Sequence, residues 1–172
     1  LSFCHPCGAL VRHRNVHVRV QQGAPPRARI GPGEHYHNYR SVVCLFGYRA
    51  LHRLPYDVYM GYHRVFMYID DFIPTLANVV NNYHAGEVYN IGGHEYRSVK
   101  EMSDLILKSI GLDDSLVNYL PEDKHNVLNK RPDCSKAAAA FGHDPKITLE
   151  QGIPKTIEWM RKVYAETIKV GR

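Results

Sequence analysis

The stretch Arg64-Val65-Phe66-Met67-Tyr68-Ile69-Asp70-Asp71 (RVFMYIDD) sets one cation at the mouth of an apolar run and two carboxylates at its exit. Valine, phenylalanine, tyrosine and isoleucine are strand formers, and a short apolar run with polar ends reads as a buried strand of an α/β sheet. Asp70 and Asp71 suit the first turn of the helix that follows, DFIPTLANVVNNY, where side-chain oxygens accept orphan N–H groups and the dipole favours negative charge. Pro74 is expected in the opening turn of that helix, where a missing N–H costs nothing. Strand formation gives no reason for a guanidinium at 64. Arg64 is therefore a candidate functional residue, and an ion pair to Asp70 or Asp71 is the competing structural explanation.

Working outward, YRSVVCLFGYRALHR places Val42, Val43, Leu45, Phe46, Ala50 and Leu51 on one helical face. DVYM, EVYNI and SLVNYL read as strands. Ser98-x-x-Glu101 is a capping box opening VKEMSDLILKSI, which Gly111 ends, and Thr148-x-x-Gln151 opens a long terminal helix. DCSKAAAAFG reads as a short helix capped by Asp133. Helices alternate with short strands and no internal repeat is present, which is an α/β pattern.

At 172 residues and 44 % hydrophobic content the chain suits one domain with a real core, or part of a larger protein. No apolar run reaches membrane-spanning length and no secretory signal is visible, so neither a membrane nor export is expected and the cytoplasm is the default location. The four cysteines, Cys4, Cys7, Cys44 and Cys134, do not make a disulfide framework. Cys4-x-x-Cys7 with His13 and His17 imitates a zinc-finger ligand set, but the gap between the pairs is too short for a finger, and no metal is expected. The net charge of +5 is local: residues 1 to 30 hold Arg12, Arg14, Arg19, Arg27 and Arg29 with no acid, and the remainder is balanced. Those arginines are not interleaved with aromatics, so no nucleic-acid partner is expected.

The chain divides by texture into an atypical basic segment, 1–30, and an ordered region, 31–172. VHVRV at 16–20 alternates like a short strand. The segment as a whole fits a disordered basic arm, a poorly patterned strand and loop, or out-of-frame translation of a GC-rich gene.

From Gly31 the chain resembles the NAD-dependent nucleotide-sugar epimerases and dehydratases, the extended short-chain dehydrogenase/reductase group. GPGEHYHNYRSVV, LPYDVYMGYHRVFMYIDD, GEVYNIGG, SVKEMSDLI, DCSKA and LEQGIPKTIEWMRKVY match in family order across residues 31 to 164. The resemblance implies an α/β chain that is the C-terminal substrate-binding part of a Rossmann-type enzyme whose N-terminal Rossmann half is missing. It also implies NAD as the family cofactor, a nucleotide-sugar substrate and a homodimeric full-length enzyme. The strand that normally precedes the GPG turn is not matched, and this abrupt stop, coinciding with the change in composition, favours the frame error or an unrelated fusion upstream. No G-x-G-x-x-G occurs. One Tyr-x3-Lys pair, Tyr96 and Lys100, lies after the GPG turn whereas the family's catalytic pair precedes it. About 0.6 such pairs arise by chance in a chain with 12 tyrosines. Tyr96 and Lys100 are accordingly read as the entrance to a capped helix, no catalytic residue is assigned, and the isolated chain is expected to be inactive and to bind NAD weakly.

Substrate-binding positions follow from the resemblance. Arg64 matches the arginine that contacts the diphosphate, a task its planar, permanently charged fork suits. Val58 and Tyr59 fit the strand laid against the nucleobase, Asn90 an asparagine near the phosphates, and Arg131, or in its place Lys124, His125 or Lys130, a second cation. Glu34, His35 and Tyr36 fall where the substrate loop approaches the sugar. The function expected is binding of the nucleotide diphosphate of a sugar whose C4 is oxidised by NAD in the full enzyme. The alternative is a non-catalytic nucleotide-sugar-binding or regulatory module.

Overall fold

A computed structural model describes residues 10–13, 16–20, 29–38, 40–82, 84, 86–122 and 127–170. The chain order is β1 (Leu10–His13), β2 (Val16–Val20), β3 (Arg29–Ile30), α1 (Val42–Leu51), β4 (Tyr56–Tyr59), β5 (His63–Tyr68), α2 (Ile69–Asn82), β6 (Val88–Ile91), β7 (Glu95–Ser98), α3 (Val99–Ile110), β8 (Val117–Leu120), β9 (Asn129–Lys130), α4 (Ser135–Phe141), α5 (Leu149–Val163) and α6 (Ala165–Val170). The opening stretch is a strand followed without a loop by a helix, and Val65, Phe66, Met67 and Tyr68 are all buried.

Around β5 the sheet is mixed. β3 lies parallel to its C-terminal end, Ile30 opposite Tyr68, while β7 runs antiparallel along its other edge, Val65 opposite Tyr96. β9 pairs parallel with its N-terminal end, His63 opposite Asn129 and Arg64 opposite Lys130. β4 and β8 form a separate parallel pair, and β1, β2 and β6 a third sheet. In that third sheet VHVRV is a strand, as its alternation suggests, and lies parallel to VYNI with Val18 opposite Tyr89. Ile30, one residue before the expected boundary at Gly31, is 2 % exposed and belongs to the main core. Cys4 and Cys7 lie outside the described residues.

The main core is filled by Phe46 from α1, Met102 and Ile106 from α3, Ile153 and Ile157 from α5, and Tyr56 and Val58 from β4. A second core joins α2, β6 and α4 through Phe72, Val79, Tyr89, Ile91 and Phe141. The connection between β6 and β7 crosses β5 so closely that a Cβ on Gly93 would overlap the Phe66 carbonyl oxygen. Only glycine fits there.

Several local expectations hold. Ser98 Oγ accepts from Glu101 N at 3.0 Å while Glu101 Oε2 accepts from Ser98 N at 2.8 Å, and Gly111 ends α3 at φ +83°. Thr148 N donates to Gln151 Oε1 at 3.0 Å at the start of α5. Three differ. Pro74 is the sixth residue of α2, past the opening turn, so the Asp70 carbonyl loses its ladder partner. Asp133 does accept from Ser135 N at 2.9 Å, but the cap position of α4 is Cys134. β7 and β9 were not expected as strands at all, because EYRS and NK carry too little apolar alternation to signal one.

Candidate functional site

Four expected positions, Val58, Tyr59, Arg64 and Arg131, fall on β4, on β5 which follows it, and just past β9, the neighbour of β5. Tyr62, which the sequence does not single out, joins Tyr59 to Arg64, while Tyr96, read in the sequence only as a helix entrance, meets Arg131. Gly61, at φ +85°, turns the chain between the two strands and Tyr62 follows it into the core at 3 % exposure. The Arg64 guanidinium lies over the Tyr62 ring at 5.2 Å, and Tyr62 meets Tyr59 edge to face at 6.5 Å. Tyr59 itself is 44 % exposed. Val58 is fully buried, so only its backbone can reach a ligand. Tyr56 N and Met60 N donate to Leu116 and Leu120 of the β8 side, which by the period of two turns the N–H groups of Asp57 and Tyr59 to the opposite edge. Among the described residues no strand covers that edge.

Arg64 is half-buried. Its Nη1 donates to the His63 carbonyl at 2.8 Å and the Leu128 carbonyl at 2.7 Å, which fixes the plane of the fork against the sheet edge. Burial lowers its pKa, partly countered by Tyr62 and Tyr96. The expected competitor is not observed: among the described residues Arg64 forms no ion pair with Asp70 or Asp71, and Asp71 instead accepts from Ile147 N at 2.8 Å.

Arg131 sits elsewhere. Register puts His63, Tyr96 and Asn129 on one face of β5 and Arg64 on the other, with Arg97 and Lys130. On the first face Tyr96 stacks on His63 at 5.4 Å, its hydroxyl donates to Asn129 Oδ1 at 2.6 Å, and the Arg131 guanidinium lies over its ring at 5.8 Å. The two arginines therefore flank β5 from its two faces. Asn90 supports the Arg131 segment from behind, donating to the Asp133 carbonyl at 3.1 Å, and makes a structural contact there. Lys124 and His125 lie outside the described residues.

Glu34, His35 and Tyr36 are at the far end. The pairing of Ile30 with Tyr68 places the GPG turn four residues along β5 from Arg64, about 13 Å at strand spacing. Both Glu34 carboxylate oxygens bind Ser41, one at its backbone N–H and one at its hydroxyl, anchoring the start of α1. His35 meets Trp159 edge-on at 5.5 Å, and Tyr36 stacks on Tyr48 at 3.7 Å while its N–H donates to the Tyr164 hydroxyl at 2.6 Å. The loop is thus fastened to α1 and α5. Beside it an open depression of about 330 Å³ is lined by Ile30, Gly31, Pro32, Gly33, Glu34, Arg40 and Ile69.

The pair Tyr96 and Lys100 is separated by structure: Lys100 pairs with Asp104 at 2.7 Å, away from the Tyr96 hydroxyl. Among the described residues no group of acids, histidines and cysteines is arranged to hold a metal, and no helix is long and apolar enough to cross a membrane.

No protein-family model matches the chain. It is 32 % identical over 162 residues to UDP-glucuronic acid decarboxylase 1 of Danio rerio, covering 91 % of this chain and 36 % of that enzyme, and 35 % identical over 107 residues to dTDP-D-glucose 4,6-dehydratase of Mus musculus, covering 59 % and 30 %. A match over 91 % of the chain leaves only about fifteen residues outside it, so it reaches into the first thirty. Among solved structures, UDP-glucose 4-epimerase of Thermotoga maritima with UDP-glucose superposes at a TM-score of 0.72 with 27 % identity, covering 85 % of this chain and 45 % of that one. The NAD-bound dTDP-glucose 4,6-dehydratase of Streptomyces venezuelae superposes at 0.71 with 26 % identity, covering 81 % and 44 %. The chain spans less than half the length of these relatives.

Proposed function

We propose that this chain, whose relatives and structural neighbours are NAD-dependent enzymes of the extended short-chain dehydrogenase/reductase family, forms the part of such an enzyme that holds the nucleoside diphosphate of a nucleotide sugar. Arg64 supports this reading most directly. It is a half-buried guanidinium oriented by two carbonyls, without a carboxylate partner among the described residues, and contiguous through Tyr62 with an exposed tyrosine on an uncovered strand edge. A fork held this way has donors left for phosphate oxygens. The β4 edge at Asp57 and Tyr59 offers backbone groups to a base, Arg131 is the second cation, and the loop 34–36 faces the sugar. Oxidation at C4 by NAD is the step the complete enzyme would carry out, as a homodimer.

NAD is the family cofactor, and it supplies hydride chemistry when bound. The described residues do not fit its pyrophosphate. Of the helices that directly follow a strand, α2 opens on Asp70 and Asp71, and the N-terminus of α3 is closed by Ser98 and Glu101. Neither end is free to receive a dianion. No step is assigned to NAD in this chain.

Calorimetric titration with UDP, dTDP and uridine tests the reading. Binding of either diphosphate at least about tenfold tighter than uridine is expected, because each charge-assisted bond is worth roughly 1.5 to 3 kcal/mol. Equal affinity for uridine and UDP, or none for either diphosphate, would overturn it.

A further inference from the structure

We infer that Tyr96 is a positioning residue that sets the second cation of the diphosphate site, Arg131, in place from the opposite edge of the sheet. The inference rests on the nucleotide-diphosphate reading given above. β7 and β9 lie on opposite edges of β5, so a residue of β7 must cross a whole strand to touch β9, about 10 Å away at the usual spacing. Tyr96 makes that crossing. Its ring lies along His63 of the intervening strand at 5.4 Å, and its hydroxyl reaches Asn129 at 2.6 Å.

The consequence is a two-point hold on a short segment. Asn129 is gripped through the hydroxyl, and Arg131, two residues on, through the ring face at 5.8 Å. β9 has only two residues paired to β5, and Arg131 is exposed in a stretch with no regular structure before α4 begins at Ser135. A long exposed side chain on such a segment would sample many rotamers, and fixing it in advance lowers the entropic cost of closing on phosphate. The ring face does this without neutralising the charge, which a carboxylate partner would. A tyrosine that matches a catalytic motif by chance is thereby given a different task by its register.

The test is a double-mutant cycle on the full chain with UDP as the probe, read by calorimetry beside the unmodified protein and Arg64→Ala. Arg131→Ala is expected to weaken UDP binding about five- to tenfold and Tyr96→Leu about three- to fivefold. Tyr96→Phe, which keeps the ring face, should stay within about twofold. The decisive readout is coupling: Tyr96→Leu added to Arg131→Ala should cause no further loss, because the tyrosine acts through the arginine. A merely structural tyrosine would give losses that multiply. Tyr96→Met replaces the leucine variant if the latter does not fold. Multiplying losses, or a Tyr96→Leu protein that binds UDP like the unmodified chain while Arg64→Ala is impaired, would overturn the inference and leave the nucleotide reading standing. If Arg64→Ala itself binds UDP unchanged, the nucleotide reading falls and this inference with it.

Discussion

Arg64→Ala separates the ligand from the fold because the two roles of the side chain have different magnitudes. Its Nη1 bond to Leu128 ties the start of β5 to the segment that enters β9, and its bond to His63 fixes the fork. Losing them leaves two partly exposed carbonyls that water can reach, a cost of roughly 0.5 to 1.5 kcal/mol each and less where water substitutes. For a chain of this size that lowers the melting temperature by about 2 to 6 °C. The ligand term is larger per bond. A diphosphate received by the remaining donors loses about 1.5 to 3 kcal/mol when the fork is removed, which is roughly 10- to 100-fold in affinity. Arg64→Lys keeps the charge and loses the fork, so it should recover only part of this. The assay is UDP titration by calorimetry together with thermal unfolding followed by circular dichroism. If Arg64→Ala lost several degrees of melting temperature but bound UDP as before, the arginine would be a tether between β5 and the segment entering β9, and the diphosphate assignment would be wrong.

Gly93→Ala should be among the most damaging small substitutions in the chain, costing at least about 2 kcal/mol, since the new methyl meets a backbone carbonyl of the central strand that cannot turn aside. Thermal unfolding checks this, and a melting temperature within a degree of the unmodified chain would refute the close crossing. Glu101 has its pKa lowered by the Ser98 backbone N–H and then by the Ser98 hydroxyl, so the unfolded chain binds that proton more tightly than the folded one. Its contribution is therefore present above the unfolded value near 4.3 and lost as pH falls through the lower folded value. Urea unfolding at pH 7 and at pH 3 should show the small stability gap between the unmodified chain and Glu101→Gln closing at the lower pH, and a gap that widened there would contradict the sign.

Much of the fold was legible because its signals are local. Ser98 and Glu101 announce a helix start by the reach of two side chains over three residues, and Gly111 announces its end by a conformation other residues avoid. β5 and α2 could be read from an apolar run and two acids. β7 and β9 could not, because EYRS and NK acquire strand conformation from pairing with β5 and carry no pattern of their own. Tertiary context made those strands.

The candidate site shows the same division more sharply. Residue type marks Arg64 as a cation without a structural reason and the resemblance implies phosphate roles for Arg64 and Arg131, but which face of β5 each occupies is fixed by register, and a shift of one residue would exchange the faces. Nothing in the sequence near position 131 encodes that register. It is set by Asn129 opposite His63, and so by the length of the connection after β8. Tyr96 reads in the sequence only as a helix entrance because its partners Asn129 and Arg131 lie on the far side of β5, and Tyr62 carries no pattern of its own although its partners Tyr59 and Arg64 are local. Glu34 illustrates the converse, since its carboxylate is committed to Ser41 and the α1 terminus although its place in the sequence suggested the sugar. A loop whose charged residue is bound to a helix start can present only its backbone and its remaining side chains to a ligand. The loop 34–36 is fastened to α1 and α5, so on the proposed nucleotide-sugar reading any sugar selectivity is expected to come from its shape more than from the charge of Glu34.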